Sequence, residues 1–414
     1  METGKHNKLQ FRIDLVLTVL FILSIFFALF ANIVFGHGLW GHIAYRKYVA
    51  EYLEDPDDYT PLEWVLAART SLDNFIAGNL YGSDKLGKVN SAFQYALGKK
   101  LVSTGGTQMI RLNTGHLYDL QSEMSMEPAL ESILSMQSSI PEGTPFLFVY
   151  EHHVLYDEEA QMPAGYEFLD FSNQEADEVL RLARENGIES IDSREVFRAS
   201  GLTLDEFLMR TDQHWSTRAA LTVTQEIAER VGELTGADVH PERLDIDQFD
   251  TKVYPKLFLG KYGQRVGTAL IDPDDMTVYM PKYDTNIHRL TFKNGEYTDV
   301  EGPFEEVNIR WEVLNGEDGK SWTTKAYHDY GLVEGYEIFH NEAGADCTIL
   351  LVKDSYSAPI GRFLSLVAKD VYSVDLRSYT FNNSLPYWIE QSDPDVVILS
   401  YCLQMLRNEL PDFE

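Results

Sequence analysis

Residues 145–192 carry the pattern on which the fold turns. Pro145–Tyr150 reads PFLFVY, Ser172–Gly187 reads SNQEADEVLRLARENG, and Gly187–Asp192 reads GIESID. The first is a short apolar run bounded by polar residues, which predicts a buried strand. In the second, Ser172 and Glu175 have the form of a capping box. Ala176, Val179, Leu180 and Ala183 then recur at i, i+3, i+4 and i+7, the apolar stripe of an amphipathic helix. Asn186-Gly187 stops it, and GIESID predicts a second strand. Strand, helix and strand in this order predict a parallel pair in an α/β fold.

The same rhythm returns near the C-terminal end. Thr348–Lys353 (TILLVK), Asp370–Asp375 (DVYSVD) and Asp395–Ser400 (DVVILS) each predict a parallel strand. Apolar residues at 360, 363, 364 and 367 predict a helix between the first two. The region at about 250–345 differs. It is rich in Tyr, Thr, Val and Trp, with turns at Asp272–Asp275, Asn294-Gly295 and Asn315-Gly316, and predicts antiparallel strands inserted into the α/β fold. Residues 38–140 read as mostly helical, with a small hairpin near Met109–Leu120.

One segment stands apart. Leu15–Phe35 is free of charge and rich in Leu, Ile, Val and Phe. As a helix rising about 1.5 Å per residue it would match a bilayer core of about 30 Å. Lys5, Lys8 and Arg12 precede it, so the N-terminus is expected inside and the rest exported. The apolar run exceeds the usual signal-peptide core, which favours an uncleaved anchor over a leader cut near Ala28–Ala31. The expected organisation is a cytoplasmic tail at 1–12, a transmembrane signal anchor at 13–36 and an extracytoplasmic domain at 37–414. In all, the sequence predicts an α/β fold: a parallel sheet flanked by helices, an antiparallel β-rich insert and one N-terminal transmembrane helix.

The composition narrows the function. The 414 residues are 44% hydrophobic, enough for a sizeable core. A net charge of −31 repels phosphate backbones and argues against a nucleic-acid partner. Cys347 and Cys402 are the only cysteines, which excludes a disulfide scaffold and a cysteine zinc site. No metal and no cofactor is expected.

Two short motifs can carry chemistry. In Thr211–Ser216 (TDQHWS), Ser216 or Thr217 can cap a helix with apolar positions at 220, 223, 227 and 231. His214 then falls just before a helix start, with Asp212 two residues away to hold its second ring nitrogen. That is the base and orienter of a hydrolytic triad. In Lys353–Ser357 (KDSYS), Ser355 follows a strand and precedes a helix with Pro359 in its first turn. A serine there projects from the carboxyl edge of the sheet, where α/β proteins place their sites. Glu151-His152-His153 also follows a strand, but adjacent histidines point to different sides, so an exposed loop is expected rather than a metal site.

With these residues in view, the chain resembles the DHHW proteins of the alginate O-acetyltransferase-like group, which has SGNH hydrolase-type folds. The resemblance rests on Thr211–Trp215 (TDQHW), Leu350–Ser357 (LLVKDSYS) and Val374–Arg377 (VDLR), with support from Phe258–Gly267 (FLGKYGQRVG) and Tyr95–Lys100 (YALGKK). Gln213 departs from the family's first His, and Lys353 stands where many relatives have Gly. The resemblance implies Ser355 as nucleophile, His214 as general base and Asp212 as its orienter. It implies an acyl group moved onto or off a cell-envelope polysaccharide, beside a polytopic membrane-bound O-acyltransferase as partner.

The leading expectation is therefore a membrane-anchored serine O-acyltransferase. The alternatives are a carbohydrate esterase with the same triad, or a non-catalytic envelope protein that binds glycans or partners. Lys261, Arg265 and Arg377 are conspicuous cations in so acidic a chain, and with Tyr356 they are expected to bind substrate. Tyr279, Tyr283, Trp311, Trp322, Tyr327 and Tyr330 could offer flat faces to sugar rings.

Overall fold

The computed structural model describes residues 83–407 except 105–106, 154, 294, 317–318, 328–334 and 378–383, together with Val16, Val19, Leu20, Ile22, Leu23, Phe26 and Phe27. The chain divides into units of residues 1–93 and 94–414. In the first, those seven residues are helical and exposed. The rest of the expected anchor lies outside the described residues. Among the described residues, no helix is long and apolar enough to cross a membrane.

The second unit begins with a small antiparallel sheet of β1 (Leu101–Thr104), β2 (Thr107–Arg111) and β3 (Leu117–Asp119). The helix α1 (Glu127–Ser138) leads to β4 (Phe146–Glu151), α2 (Ser172–Glu185) and β5 (Glu189–Asp192). β4 and β5 pair in parallel, as the strand–helix–strand pattern predicts. The long α3 (Thr217–Thr235) follows, then β6 (Phe249–Phe258), the short α4 (Lys261–Val266) and β7 (Asp274–Pro281). Next come β8 (Ile287–Lys293), β9 (Glu296–Gly302), β10 (Gly335–His340) and β11 (Ala345–Lys353). The last elements used below are α5 (Ala358–Leu364), β12 (Ala368–Val374), α6 (Leu385–Ser392) and β13 (Val396–Cys402).

Eight strands form the main sheet in the order β5-β4-β13-β11-β12-β10-β8-β9. The run from β5 to β12 is parallel. The run from β12 through β10 and β8 to β9 is antiparallel. The sheet is thus mixed, and the expected insert needs correction. Three of its strands, β8, β9 and β10, extend the main sheet, and only β6 and β7 form a separate ribbon. Tyr and Thr alternation marks a strand but not the edge it will join, because pairing is decided by long-range packing.

The central parallel strands β4, β11 and β13 are largely apolar because both faces are covered. Leu147 and Val149 of β4, Ile349 and Leu351 of β11 and Ile398 of β13 pack into one core with α3 and α5. Phe148, Tyr150, Leu350, Val352 and Leu399 turn into the opposite core with α1, α2 and α6. Each fully buried side chain of this kind stabilises the fold by about 1.5–3 kcal/mol.

The expected capping box at Ser172 does not form. Ser172 lies inside α2, and its hydroxyl donates to Asp170 Oδ2 at 2.5 Å. Glu175 accepts from the Met124 N–H at 2.7 Å and pairs with Arg407. A tertiary cation is the stronger partner for a carboxylate than a local N–H.

Candidate active site

The site is built from two loops at the carboxyl edge of the parallel strands. Ser355 lies two residues beyond β11, in the turn into α5, whose first turn carries Pro359. His214 lies just before α3, where the Ser216 hydroxyl caps the helix by accepting from the Ala219 N–H at 3.0 Å. This is the helix start that the sequence predicts.

The structure brings Ser355, His214 and Asp212 together. His214 Nε2 is 3.0 Å from Ser355 Oγ, across a sequence separation of 141 residues. His214 Nδ1 is 2.5 Å from Asp212 Oδ1. That contact fixes the tautomer in which Nδ1 carries the proton and Nε2 can accept one. The Asp212 side chain is 5% exposed and that of His214 is 13% exposed, so the base meets solvent only at one edge.

Burial pushes the Asp212 carboxyl up. The His214 charge and hydrogen bond, with the N–H groups of Lys261 and His214, outweigh burial and hold it below the ordinary carboxylate range. A carboxylate that stays ionised can orient the ring and stabilise imidazolium as it forms.

The two loops are laced together. Trp215 Nε1 donates to the Tyr356 carbonyl at 2.9 Å, and the Tyr356 hydroxyl donates to the Gln213 carbonyl at 2.6 Å. Gln213 thus serves the site through its main chain. Tyr356 is 1% exposed with its hydroxyl committed. This corrects the expectation that it binds substrate: it is a brace between the loops.

Phe258–Gly267 forms the cradle of Asp212. The Lys261 N–H donates to Asp212 Oδ2 at 2.6 Å, and the Gly263 N–H donates to the Thr211 carbonyl at 2.8 Å. A Cβ at Gly260 would overlap the Asp212 side chain and lie 2.6 Å from the Thr211 carbonyl oxygen. One at Gly263 would lie 2.8 Å from Thr211 Cβ. Close backbone approach is the reason for both glycines. Asp274 at the start of β7 closes the cradle from behind, accepting from the N–H groups of Arg210 and Thr211, each at 2.9 Å. Burial raises the Asp274 carboxyl to about 6. None of these supports carries chemistry of its own, so the sequence offers no signal for Asp274 beyond a turn.

The other expected binding residues, Lys261, Arg265 and Arg377, have partners of their own. The Lys261 side chain is exposed at the start of α4. Arg265 lies over the Tyr262 ring at 6.0 Å and is an electrostatic neighbour of Asp119. Arg377 grips Asp375 with two bonds of 2.8 and 2.6 Å and reaches Met405 Sδ. Of the aromatic candidates, Tyr327 reaches the site. Its ring stacks on His214 with centroids 4.2 Å apart and 19° between planes. Its hydroxyl faces the carbonyls of Ser355 and Tyr356 at 3.5 and 3.3 Å. Tyr279 is buried, Trp311 is partly exposed, and Tyr330 lies outside the described residues.

Glu151-His152-His153 is not an exposed loop. All three are buried, at 0%, 0% and 2% exposure. His152 stacks on Phe207 and meets Ser193 Oγ at 2.7 Å. Burial lowers His152 to about 3 and His153 to about 4, so both are neutral. Among the described residues, no group of three or more His, Cys, Asp or Glu is placed to hold a metal ion. A cavity of about 1070 Å³ lies behind the Thr211–Trp215 loop, lined in part by Arg210, Ser216, Arg218 and Asp274. Ser355 and His214 are not part of its wall, so the chemistry is elsewhere.

Comparison with known proteins now adds to this geometry. Residues 147–285 match the family described as "SGNH hydrolase-like domain, acetyltransferase AlgX". Over that segment the chain is similar to an SGNH hydrolase-like domain. The matched segment holds Asp212 and His214, and Ser355 joins them through the fold. The SGNH-type domain is an enzyme of the O-acyltransferase or esterase kind.

Two solved structures share the SGNH domain's fold. A DHHW family protein from Eubacterium siraeum is 16% identical, with a TM-score of 0.56, covering 75% of this chain and 95% of that one. PatB1 from Bacillus cereus, solved with a sulfonyl adduct, is 15% identical, with a TM-score of 0.58, covering 72% of this chain and 96% of that one. At these identities the likeness speaks for the fold alone. A search of curated protein sequences returns no match.

Proposed function

We propose that this chain is a membrane-anchored, extracytoplasmic serine O-acyltransferase that places acetyl groups on a cell-envelope polysaccharide. The observation that carries the reading is the line Asp212–His214–Ser355, with contacts of 2.5 and 3.0 Å at the carboxyl edge of the sheet. In the proposed reaction, Ser355 Oγ attacks the acyl carbonyl while His214 Nε2 takes the hydroxyl proton. The tetrahedral intermediate collapses to an acyl-serine, and His214 returns the proton to the leaving alcohol. A sugar hydroxyl then loses its proton to His214 and attacks the acyl-serine. Ser355 departs with that proton, and the sugar ester leaves.

The Tyr356 N–H is committed to Asp354 Oδ1 at 2.7 Å, so the oxyanion role falls to other donors of the loop, with the Ser355 N–H first among them. The family match supports acyl chemistry. The uncharged Leu15–Phe35 segment, whose described residues are helical with exposed apolar side chains, supports the anchor. An anchor would hold the domain beside a polytopic acyltransferase partner and nascent glycan, raising the effective concentration of both.

The test supplies an activated acetyl ester with and without candidate oligosaccharides. Acetylated sugar that disappears in Ser355→Ala is the expected result. Free acetate alone, at a rate indifferent to every sugar, would make the domain an esterase. Tight glycan binding with no turnover would make it a binding protein.

A further inference from the structure

We propose that Glu151 and Asp354 share a single proton, and that this buried carboxyl pair is the device that positions the Ser355 loop. The role given to the pair rests on the reading of Ser355 as nucleophile; the existence of the shared proton does not.

Glu151 ends β4 and Asp354 follows β11, with β13 lying between those strands. Both side chains are 0% exposed. Every lone pair there must be met inside the protein. Asp354 Oδ1 accepts from the Tyr356 N–H at 2.7 Å, and Oδ2 accepts from the Cys402 N–H at 2.8 Å. Glu151 Oε1 accepts from the Ser357 hydroxyl at 2.5 Å and the Ser400 hydroxyl at 2.7 Å. Glu151 Oε2 meets no donor among the described residues. The Asp354 carboxyl adjoins the Glu151 carboxyl.

A bare carboxylate oxygen facing a second carboxylate in a dry interior is costly. A proton on Oε2 removes the cost at once. It turns an acceptor with no donor into a donor facing an acceptor, and it leaves one negative charge on the pair. Burial first, and the Asp354 charge second, push the Glu151 carboxyl well above its ordinary range.

The other titratable groups around the pair fit one charge. The Cys402 thiol on β13 is pushed up by burial and by both carboxyls, so it stays protonated. Lys353 and Arg377 are electrostatic neighbours of Asp354 on the β11 and β12 side. The Tyr356 and Tyr401 phenols are raised by burial and stay neutral.

The consequence for Ser355 is geometric. The residue before it supplies one carboxyl, and the two residues after it, Tyr356 and Ser357, each donate to the pair. The nucleophile is therefore strung between tethers on one shared-proton unit. Losing the proton at alkaline pH would set two adjacent buried carboxylates against each other and loosen all the tethers together.

The experiment compares the full-length protein with E151Q and E151A. A glutamine amide donates permanently where the acid donates, so E151Q imitates the protonated pair. Infrared spectra at neutral pH should show the carbonyl stretch of a protonated carboxylic acid in the unaltered protein. That band should be missing in E151Q and should fade as pH rises. With an activated acetyl ester, E151A should lose at least tenfold in kcat while E151Q rescues it, and E151Q should lack the alkaline decline of the unaltered enzyme. If the acid band is absent, or is unchanged by E151Q, the shared proton does not exist. If the band behaves as expected but the pH profiles of E151Q and the unaltered enzyme coincide, the positioning role fails. Should the protein hydrolyse or transfer nothing, the infrared arm still decides the pair, and the failure belongs to the acyltransferase reading.

Discussion

The Tyr327 ring lies flat on the imidazole of His214, with centroids 4.2 Å apart and planes inclined by 19°. A phenol face attracts a cation more than a neutral ring, so this stack favours imidazolium as His214 takes up a proton. A partly desolvated interaction of this kind is worth about 0.5–2 kcal/mol. Tyr327→Leu should therefore lower kcat by about 2- to 30-fold with KM little changed. Tyr327→Phe keeps the stack and should retain most of the rate. Equal loss in both variants would shift the role from the ring to the hydroxyl.

The relay itself sets larger numbers. Ser355→Ala should abolish acyl-enzyme formation, read by mass spectrometry after a brief exposure to an activated ester. Asp212→Asn removes the charge that holds the ring and should reduce kcat by about 10²–10⁴-fold while the fold persists. Unaltered circular dichroism with the expected rate loss would separate chemistry from stability.

Gly260 is required by contact, since any side chain there collides with Asp212. Gly260→Ala should destabilise the protein by about 1–3 kcal/mol and reduce kcat, because Asp212 must move. Gly232, inside α3, offers the control: a Cβ there meets its nearest neighbour at an ordinary 3.5 Å. Gly232→Ala should be neutral or stabilising by about 0.5–1 kcal/mol. Urea unfolding of the pair measures both.

Asp274 gives the cradle a pH dependence. Its folded pKa of about 6 stands above the ordinary 3.8, so the folded state holds the proton more tightly than the unfolded chain. The resulting stability is fully present below about pH 4 and is lost as pH rises through about 6, an effect of about 3 kcal/mol. In unfolding experiments between pH 4 and 7, the advantage of the unaltered protein over Asp274→Asn should shrink as pH rises. An advantage that grows with pH would mean that the hydrogen bonds to Asp274 from the Arg210 and Thr211 N–H groups and the Thr211 hydroxyl outweigh its burial.

The anchor has its own test. Protease added to intact cells should digest the domain and leave the tail at residues 1–12 protected. A processed, soluble protein with its N-terminus near Asn32 would mean that Leu15–Phe35 is a cleaved leader.

Much of this was legible in the chain because it is local. Apolar runs such as Phe146–Tyr150 and Val396–Ser400 must be buried wherever they go, and the five predicted parallel strands meet as β4, β5, β11, β12 and β13. Ser216 caps α3 through a bond to a residue three positions away. Asp212 reaches His214 across a single intervening residue. In these last two cases the partner is a chain neighbour, so the sequence determined the α/β class, the start of α3 and the two motifs.

What only the tertiary structure decided is everything that depends on which strands become neighbours. A strand's pattern is the same whichever partner it takes, so the addition of β8, β9 and β10 to the main sheet could not be read from their residues. The insertion of β13 between β4 and β11 places Glu151 beside the loop that carries Ser355, although the side chains it binds, Ser357 and Ser400, are 206 and 249 residues away. The packing of α3 against α5 likewise brings Ser355 to 3.0 Å from His214. The physical reason is that parallel strands are joined only by long crossovers, so the groups meeting at their carboxyl edge are remote in sequence and are brought together by packing alone.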